Sequence, residues 1–428
     1  MTTHFDLFLR PDPSRVVVRP FAPAADAPSA ALTTPARAQA IADQVLSLDE
    51  ATVQIELARV TASMSDRHRH FEKVLLRRYH EVNGSLFASS SASGSQKLLI
   101  GAYFCEEYAF EAAALFNPSI VPHPDQSGVP EGSVRFVLSL RGVGEGHVSS
   151  ITFRTGICAA DGRLSVDQPS QFAVSPRTEN IPGGAAGDPG VRLLCPEARD
   201  LSEIVVYPIT EHQRHGIEDL RIVRFVDEDG NATYLGTYTA FSGTGIRQEL
   251  LRTNDFATFE LTALRGEATL NKGMALFPKR IAGRYAMLGR RDHVNIWLSL
   301  SADLYQWDDA IKIVAPRFPW EFVQIGNCGA PIEIDEGWLV LTHGVGPVRN
   351  YCIGAVLLDK KDPARVLGRL TAPLLRPNQN ERYGYVPNII YSCGAMAHNR
   401  ILVLPYAVAD NFTTFATIPL ATLLPLLT

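Results

Sequence analysis

Apolar positions along this chain recur at two spacings, and the change falls near residue 97. Before it the rhythm is helical. Ala36 to Leu46 is rich in good helix formers. Ser47-Leu-Asp-Glu50 supplies an N-cap and an acidic first turn, and Val53, Ile55, Leu57, Val60 and Met64 follow. A third run, Arg67 to Val82, carries Phe71, Val74, Leu75 and Tyr79. The stretch ahead of these, residues 1–33, is rich in Pro and Ala and predicts an extended arm with one short strand around Arg15 to Arg19. Residues 84–96 are dominated by Ser, Ala and Gly and predict a linker. The spacing therefore divides the chain into an arm (1–33), a helical segment with its linker (34–96) and a third region (97–428).

That third region is built from short β-type runs separated by Gly, Pro, Asn and Asp turns. Leu98 to Phe104 reads as the first strand. Val134–Leu140, Val148–Arg154, Ile204–Pro208, Arg221–Val226, Ala232–Thr239, Arg284–Leu288, Val294–Ser299, Trp338–His343, Tyr351–Leu358, Ile389–Cys393 and Ile401–Ala407 follow. Many short strands without long helices predict an all-β sandwich, barrel or propeller. A strand ending in a polar residue recurs near Arg141, Thr239, Arg290, His343 and Tyr406. This weak repeat favours a five-bladed β-propeller with those strand ends converging on a central cavity.

Composition narrows the function. The chain has 428 residues, 46% hydrophobic and 20% charged, with a net charge of -5. No basic excess points to nucleic acid, and no apolar run approaches the roughly 20 residues of a membrane span. The first ten residues lack the pattern of a signal peptide. Six cysteines stand singly, with no CxxC pair. They read as reduced thiols in a cytoplasmic protein. No metal or other cofactor is expected. The helical segment is the expected contact of any homo-oligomer.

Candidate chemistry concentrates in Gly216-Ile-Glu-Asp-Leu-Arg221. In an extended chain successive side chains point to opposite faces. Glu218 and Asp219 are thus expected to diverge, and Asp219 to share a face with the cation of Arg221, which would hold a carboxyl group in place for proton transfer. The basic run Arg67-His-Arg-His70 diverges around a helix and reads as a solvated face or an oligomer contact. Glu145, between glycines in Gly142-Val-Gly-Glu-Gly-His-Val148, is a candidate catalytic base at the tip of a tight loop, or simply a solvated turn residue.

The order of several stretches resembles glycoside hydrolase family 130, the inverting β-mannoside phosphorylases and related β-mannosidases, over roughly residues 97–425. The matching stretches are Phe116-Asn-Pro-Ser119, Arg135-Phe-Val-Leu-Ser-Leu-Arg141, Gly216 to Arg221 with Tyr238-Thr-Ala-Phe-Ser242, and Leu276 to Tyr285. Trp320 to Gly326, Gly337 to Val345, Gly354 to Pro363 and Tyr385-Val-Pro-Asn388 continue the series. The resemblance implies a five-bladed propeller and an enzyme that cleaves β-1,2- or β-1,4-linked mannooligosaccharides. It places Asp219 on the general acid, which acts in the family's phosphorylases through a sugar hydroxyl. It places Asn117, Arg141, Tyr238 and Asp410 on substrate contacts. It places Arg280, His343 and Gln324 around phosphate, the co-substrate if the enzyme is a phosphorylase.

The departures bear on the reaction. Gln324 stands where the phosphorylases carry a lysine on phosphate. A lost ammonium removes one charge-assisted contact, worth about 1.5–3 kcal/mol. Leu220 replaces a proline beside the acid, and Arg290-Arg291-Asp292-His293 departs from the usual Arg-Pro, which predicts a remodelled distal sugar site. Hydrolysis with inversion requires instead a base carboxylate roughly 6.5–9.5 Å from the acid, with Glu145 the candidate. Hydrolysis and phosphorolysis both stay open, beside the alternative of a catalytically silent sugar-binding propeller.

Overall fold

Helices form where the 3.6-residue rhythm places them: α1 (Thr34–Leu46), α2 (Glu50–Met64) and α3 (Phe71–Val82), with Asp49 capping α2 through the Thr52 N–H. The computed structural model describes residues 2–22, 34–89, 91–182 and 190–428. Of the arm expected over residues 1–33, residue 1 and residues 23–33 lie outside the described residues. Its short strand is present as Val17–Pro20, paired antiparallel with Cys105–Tyr108.

A fourth helix, α4 (Gly94–Tyr103), occupies Leu98–Phe104, where the sequence suggested a strand. The reason is local. Ser93 caps the Gln96 N–H and the Gln96 side chain returns to the Ser93 N–H, so the polar end of the expected linker is a helix start. Leu99, Ile100 and Phe104 then pack with Ala38, Val45, Val53, Tyr79 and Phe87 in one apolar core. The basic run is occupied too. Arg67 and His68 both hold Glu107, at 3.0 and 2.6 Å. These helices belong to a unit comprising Ser14–Ala109 and Ser170–Ser175.

The other unit comprises Met1–Pro13, Phe110–Pro169 and Pro176–Thr428 and is mostly β-sheet. Five antiparallel sheets of four to six strands make it up. Sheet I contains Ala114–Pro122, Val134–Val143 and Ser149–Cys158. Sheet II runs from Gly216–Val226 through Ala232–Phe241 and Ile246–Thr253 to three further strands. Sheet III starts at Ala275–Leu276, sheet IV at Gln324–Asn327, and sheet V at Ile390–Tyr391. The outer edge of sheet V is supplied by Thr3–His4, which pairs with Phe412–Pro419.

The first strands of the five sheets meet. The Ile222 N–H of sheet II donates to the Ser119 hydroxyl of sheet I. Arg221 reaches Gly273 beside sheet III, Asn327 of sheet IV and Tyr391 of sheet V. The Cys393 N–H closes the circuit on the Pro118 carbonyl. Apolar residues on alternate positions of these strands fill the spaces between neighbouring sheets, as in the cluster of Ile151, Phe153, Ile217, Ile222, Tyr234 and Phe259 between sheets I and II.

Candidate active site

Two β-bulges build the acidic half of the site. In sheet I, Phe116 pairs with Arg141 and Ser119 with Ser139, so Asn117 and Pro118 face a single partner residue. In sheet II, Glu218 pairs with Thr239 and Arg221 with Thr237, so Asp219 and Leu220 do the same. Asn117 and Asp219 lie at φ 49 and 57, in the left-handed region that Asn and Asp tolerate better than most side chains. Bulges of this kind re-aim a side chain. Here they turn the Asn117 amide onto Asp219 Oδ1 at 2.7 Å.

The bulge also overturns the expected divergence of Glu218 and Asp219. Strict alternation fails where the chain is not regularly extended, and one guanidinium holds both carboxylates. Arg141 donates to Asp219 at 3.2 Å and to Glu218 at 2.9 Å. Lys272 takes the other Glu218 oxygen at 2.7 Å. Arg221 does not hydrogen-bond to Asp219. It is buried and spent on the Gly273 and Asn327 carbonyls (2.7 and 3.0 Å) and the Tyr391 hydroxyl (2.6 Å). Its charge still acts on Asp219 through space.

These neighbours set the protonation of the acid. Burial pushes the Asp219 carboxyl up, but the charges of Arg141 and Arg221, the Asn117 hydrogen bond and Lys272 hold it below the usual carboxylate range. Asp410, at φ 51 in the turn joining Ile401–Val408 to Phe412–Pro419, goes the other way. Burial and the negative charge of Asp219 raise it to about 6, against Arg141 and Arg349. Two carboxyl groups within electrostatic reach of each other are thus held apart in pKa, a pattern typical of acid–base sites.

The second half of the site is cationic. His343, fully buried on the strand Gly337–Val345, has Arg290 Nη1 and Gln324 Nε2 each 3.4 Å from its Nε2. Burial and the charges of Arg290 and Arg221 hold this imidazole well below its usual pKa, so it is neutral at neutral pH. Arg290 has no carboxylate within ion-pair distance among the described residues, and its buried Nε has no hydrogen-bond partner there. Gly326 makes the meeting possible. A Cβ at that position would stand 2.5 Å from His343 Cε1 and 2.6 Å from Arg290 Cδ.

The structure therefore brings together Asn117, Arg141, Asp219 and Asp410 on one side and His343 and Gln324 on the other. It does not bring Arg280 to His343. Arg280 bonds Asp227 (2.9 Å) and the Tyr285 hydroxyl (2.7 Å), and Asp227 follows the end of its strand opposite to Asp219. Arg290 takes its place beside the histidine. Tyr238 is likewise committed to its own neighbours. It is 1% exposed, donates its hydroxyl to Glu249 and accepts from Gln213. Glu145 is exposed in the turn Glu145–His147 after the strand that carries Arg141. Lys272 and Tyr391 are contacts the sequence did not single out: Lys272 lies in a turn and Tyr391 in an apolar strand, where neither carries a motif. Among the described residues no group of three or more His, Cys, Asp or Glu side chains is arranged to hold a metal ion.

Comparison with known proteins places this geometry. The Listeria innocua β-1,2-mannobiose phosphorylase is 34% identical over 216 residues, 48% of this chain and 58% of that protein, so the chain spans little more than half of that relative's length. A 1,2-β-oligomannan phosphorylase from Thermoanaerobacter is 35% identical over 207 residues, 47% of this chain and 68% of its own. The solved structure of the Listeria innocua enzyme with β-1,2-mannobiose superposes with a TM-score of 0.54 at 22% identity, covering 74% of this chain and 92% of that one. A putative glycoside hydrolase from Bacteroides ovatus gives 0.53 at 21% identity, over 73% and 89%. Residues 197–428 match the family described as beta-1,4-mannooligosaccharide phosphorylase, more than half of the sequence, and the chain belongs to glycoside hydrolase family 130.

Proposed function

We propose that this protein cleaves β-mannosidic bonds with inversion and that phosphate, not water, is the acceptor. The observation that carries the choice is Arg290. It is a cation with no carboxylate partner among the described residues, beside a neutral His343, and it meets Arg221 at Gly273. An unpaired guanidinium next to hydrogen-bonding side chains is what a dianion needs, because Arg matches phosphate in charge and in fork geometry. The names of the relatives agree with this reading. The meeting of the five first strands, with the N-terminal strand completing sheet V, supports a closed five-bladed propeller around the site. Six free cysteines, five of them buried, support a reducing, cytoplasmic setting.

In the proposed reaction a phosphate oxygen, held by Arg290, His343 and Gln324, attacks the anomeric carbon on the face opposite the glycosidic bond. The bond to the departing sugar breaks, and that sugar's oxygen receives a proton. Asp219 is ionised at neutral pH in the free protein. Asp410, raised by burial and by the Asp219 charge, keeps its proton up to about pH 6. The proton is drawn from these two carboxyl groups through Asp219, by way of a sugar hydroxyl. Arg141 and Asn117 fix the Asp219 oxygen, and the Asn117 Oδ1, which has no partner among the described residues, can accept from a sugar hydroxyl.

Product analysis with β-1,2- and β-1,4-mannobiose, with and without inorganic phosphate, tests this reading. Mannose 1-phosphate formed only when phosphate is present is the expected result. Free mannose released at a phosphate-independent rate would make the enzyme a hydrolase and return Glu145 as the candidate for the base. Cleavage of neither disaccharide would sink the proposal.

A further inference from the structure

Beside the acidic half of the site the chain exposes side chains that a folded surface ordinarily covers. Tyr383 and Tyr385 are 81% and 70% exposed, although the backbone between and after them is fixed. Gly384 packs so closely that a Cβ there would stand 2.5 Å from Ala409 Cβ, and the Val386 N–H donates to the Ala409 carbonyl at 2.9 Å. Ala409 is the residue before Asp410. On the other side, the His147 ring lies 5.7 Å from the Tyr385 ring at 32°. His147 belongs to the turn after the strand that delivers Arg141 to Asp219. A third element joins the same segment through the Tyr351 N–H to the Asn388 carbonyl. The turn ahead of Tyr351, Pro347–Arg349, carries Val348, which is 91% exposed. Val348 lies at φ 56, a costly conformation for a β-branched residue.

Single exposed apolar residues need no explanation, but a contiguous group does. Here two tyrosines stand on a segment fixed to Ala409 by Gly384 and the Val386 N–H, and the His147 imidazole lies beside one of them. An aromatic face flanked by hydrogen-bonding groups fits a pyranose, which has an apolar C–H face and a polar edge. Tyrosine offers both surfaces with little conformational freedom to lose.

We propose that Tyr385, with the tilted His147 ring beside it and Tyr383 two residues away, forms a platform for a third sugar ring of the substrate, so that the enzyme acts on oligosaccharides longer than two units in preference to the disaccharide. This inference rests on the mannoside-cleaving reading above. The two catalytic-centre sugars sit at Asp219 and Asp410, and the next unit leaves the centre past Ala409 and meets the Tyr385 face.

The experiment compares kcat/KM for the di-, tri- and tetrasaccharide, in the linkage series the wild type cleaves, for Tyr385→Ala, Tyr385→Phe and Tyr383→Ala. Tyr385→Ala is expected to lose about five- to tenfold on the tri- and tetrasaccharide through KM, the size of one aromatic contact. Its disaccharide value should stay within about threefold of wild type on the same scale. Tyr385→Phe keeps the ring and should keep most of the preference, and Tyr383→Ala should show a smaller loss with the same length dependence. An equal loss at every length, or no loss at any, would overturn the platform while leaving the mannoside reading intact. A wild type that cleaves none of the series would remove that reading and the platform together.

Discussion

The two halves of the site are built by opposite means. On the acidic side the backbone is distorted. Asn117, Asp219 and Asp410 all adopt positive φ, at 49, 57 and 51, each at a cost on the order of 1–3 kcal/mol. On the cationic side the strands are regular. Arg221 resumes the pairing of sheet II after its bulge, and His343 pairs in register with both Gly326 and Ile353. There the site is made by removing a side chain at Gly326. The difference follows from what each half must do. A short carboxylate or amide reaches only as far as its backbone carries it, so the backbone is bent. A long guanidinium reaches by itself and needs only space.

This contrast can be broken at four points. The largest effect is expected for Asp219→Asn. Turnover of the oligosaccharide should fall by about 10²–10⁴-fold, the usual range for a general acid. The amide would still fit the bulge but gives up the ionised carboxylate that Arg141 and Arg221 favour, so the thermal transition should fall at neutral pH while the fold is kept. A variant with wild-type turnover would refute the acid role. Gly326→Ala attacks the other half. Its methyl group would collide with His343 and Arg290, and KM for phosphate is expected to rise about tenfold or more, with a smaller change in KM for the sugar. An equal rise in both constants would show that the two halves are not separable.

Asp410→Asn should produce an effect that depends on pH. The folded-state pKa of Asp410 is raised to about 6 from 3.8. Folding therefore favours its protonated form, and the ionised form costs stability. That cost is absent below about pH 4, grows between 4 and 6, and is complete above 6. The variant should melt higher than wild type by roughly 2 °C at pH 8 and show little gain at pH 4, as read by thermal denaturation. The wild-type kcat/KM profile is expected to show a limb near pH 6, and the variant's should lack it. A limb unchanged in the variant would assign it to another group. The smallest effect is expected for Arg280→Ala. Its ion pair with Asp227 lies away from His343, so KM for phosphate should change less than about twofold, and stability by no more than about 1 kcal/mol. A large rise in KM for phosphate would restore Arg280 to the phosphate site.

Much of the architecture was legible in the chain. The strands at Val134–Val143, Ala232–Phe241, Gly337–Val345 and Ile401–Val408 lie where alternating apolar residues and turn signals placed them. The error at Leu98–Phe104 has a local cause: a short apolar run does not distinguish strand from buried helix, and the Ser93–Gln96 capping box decided the matter. Of the site, the family resemblance named Asn117, Arg141, Asp219, Asp410, His343 and Gln324, which the structure gathers into two groups. It also named Arg280, which bonds Asp227 and Tyr285 instead, because a position in sequence says nothing about which carboxylate captures a cation.

What the sequence determined by itself is the set of elements and the kinds of chemistry available, since hydrophobic period, capping and turn residues act over a few neighbours. Only the tertiary structure decided which groups share the site. Arg141 and Glu218 are 77 residues apart, and Arg221 and Tyr391 are 170 apart. Whether such pairs meet depends on a bulge that adds one residue to a strand, or on a glycine that leaves a gap. These changes barely alter the local pattern, yet they move a charged group by a whole side chain, and over those distances charge and hydrogen bonding rise or fall steeply.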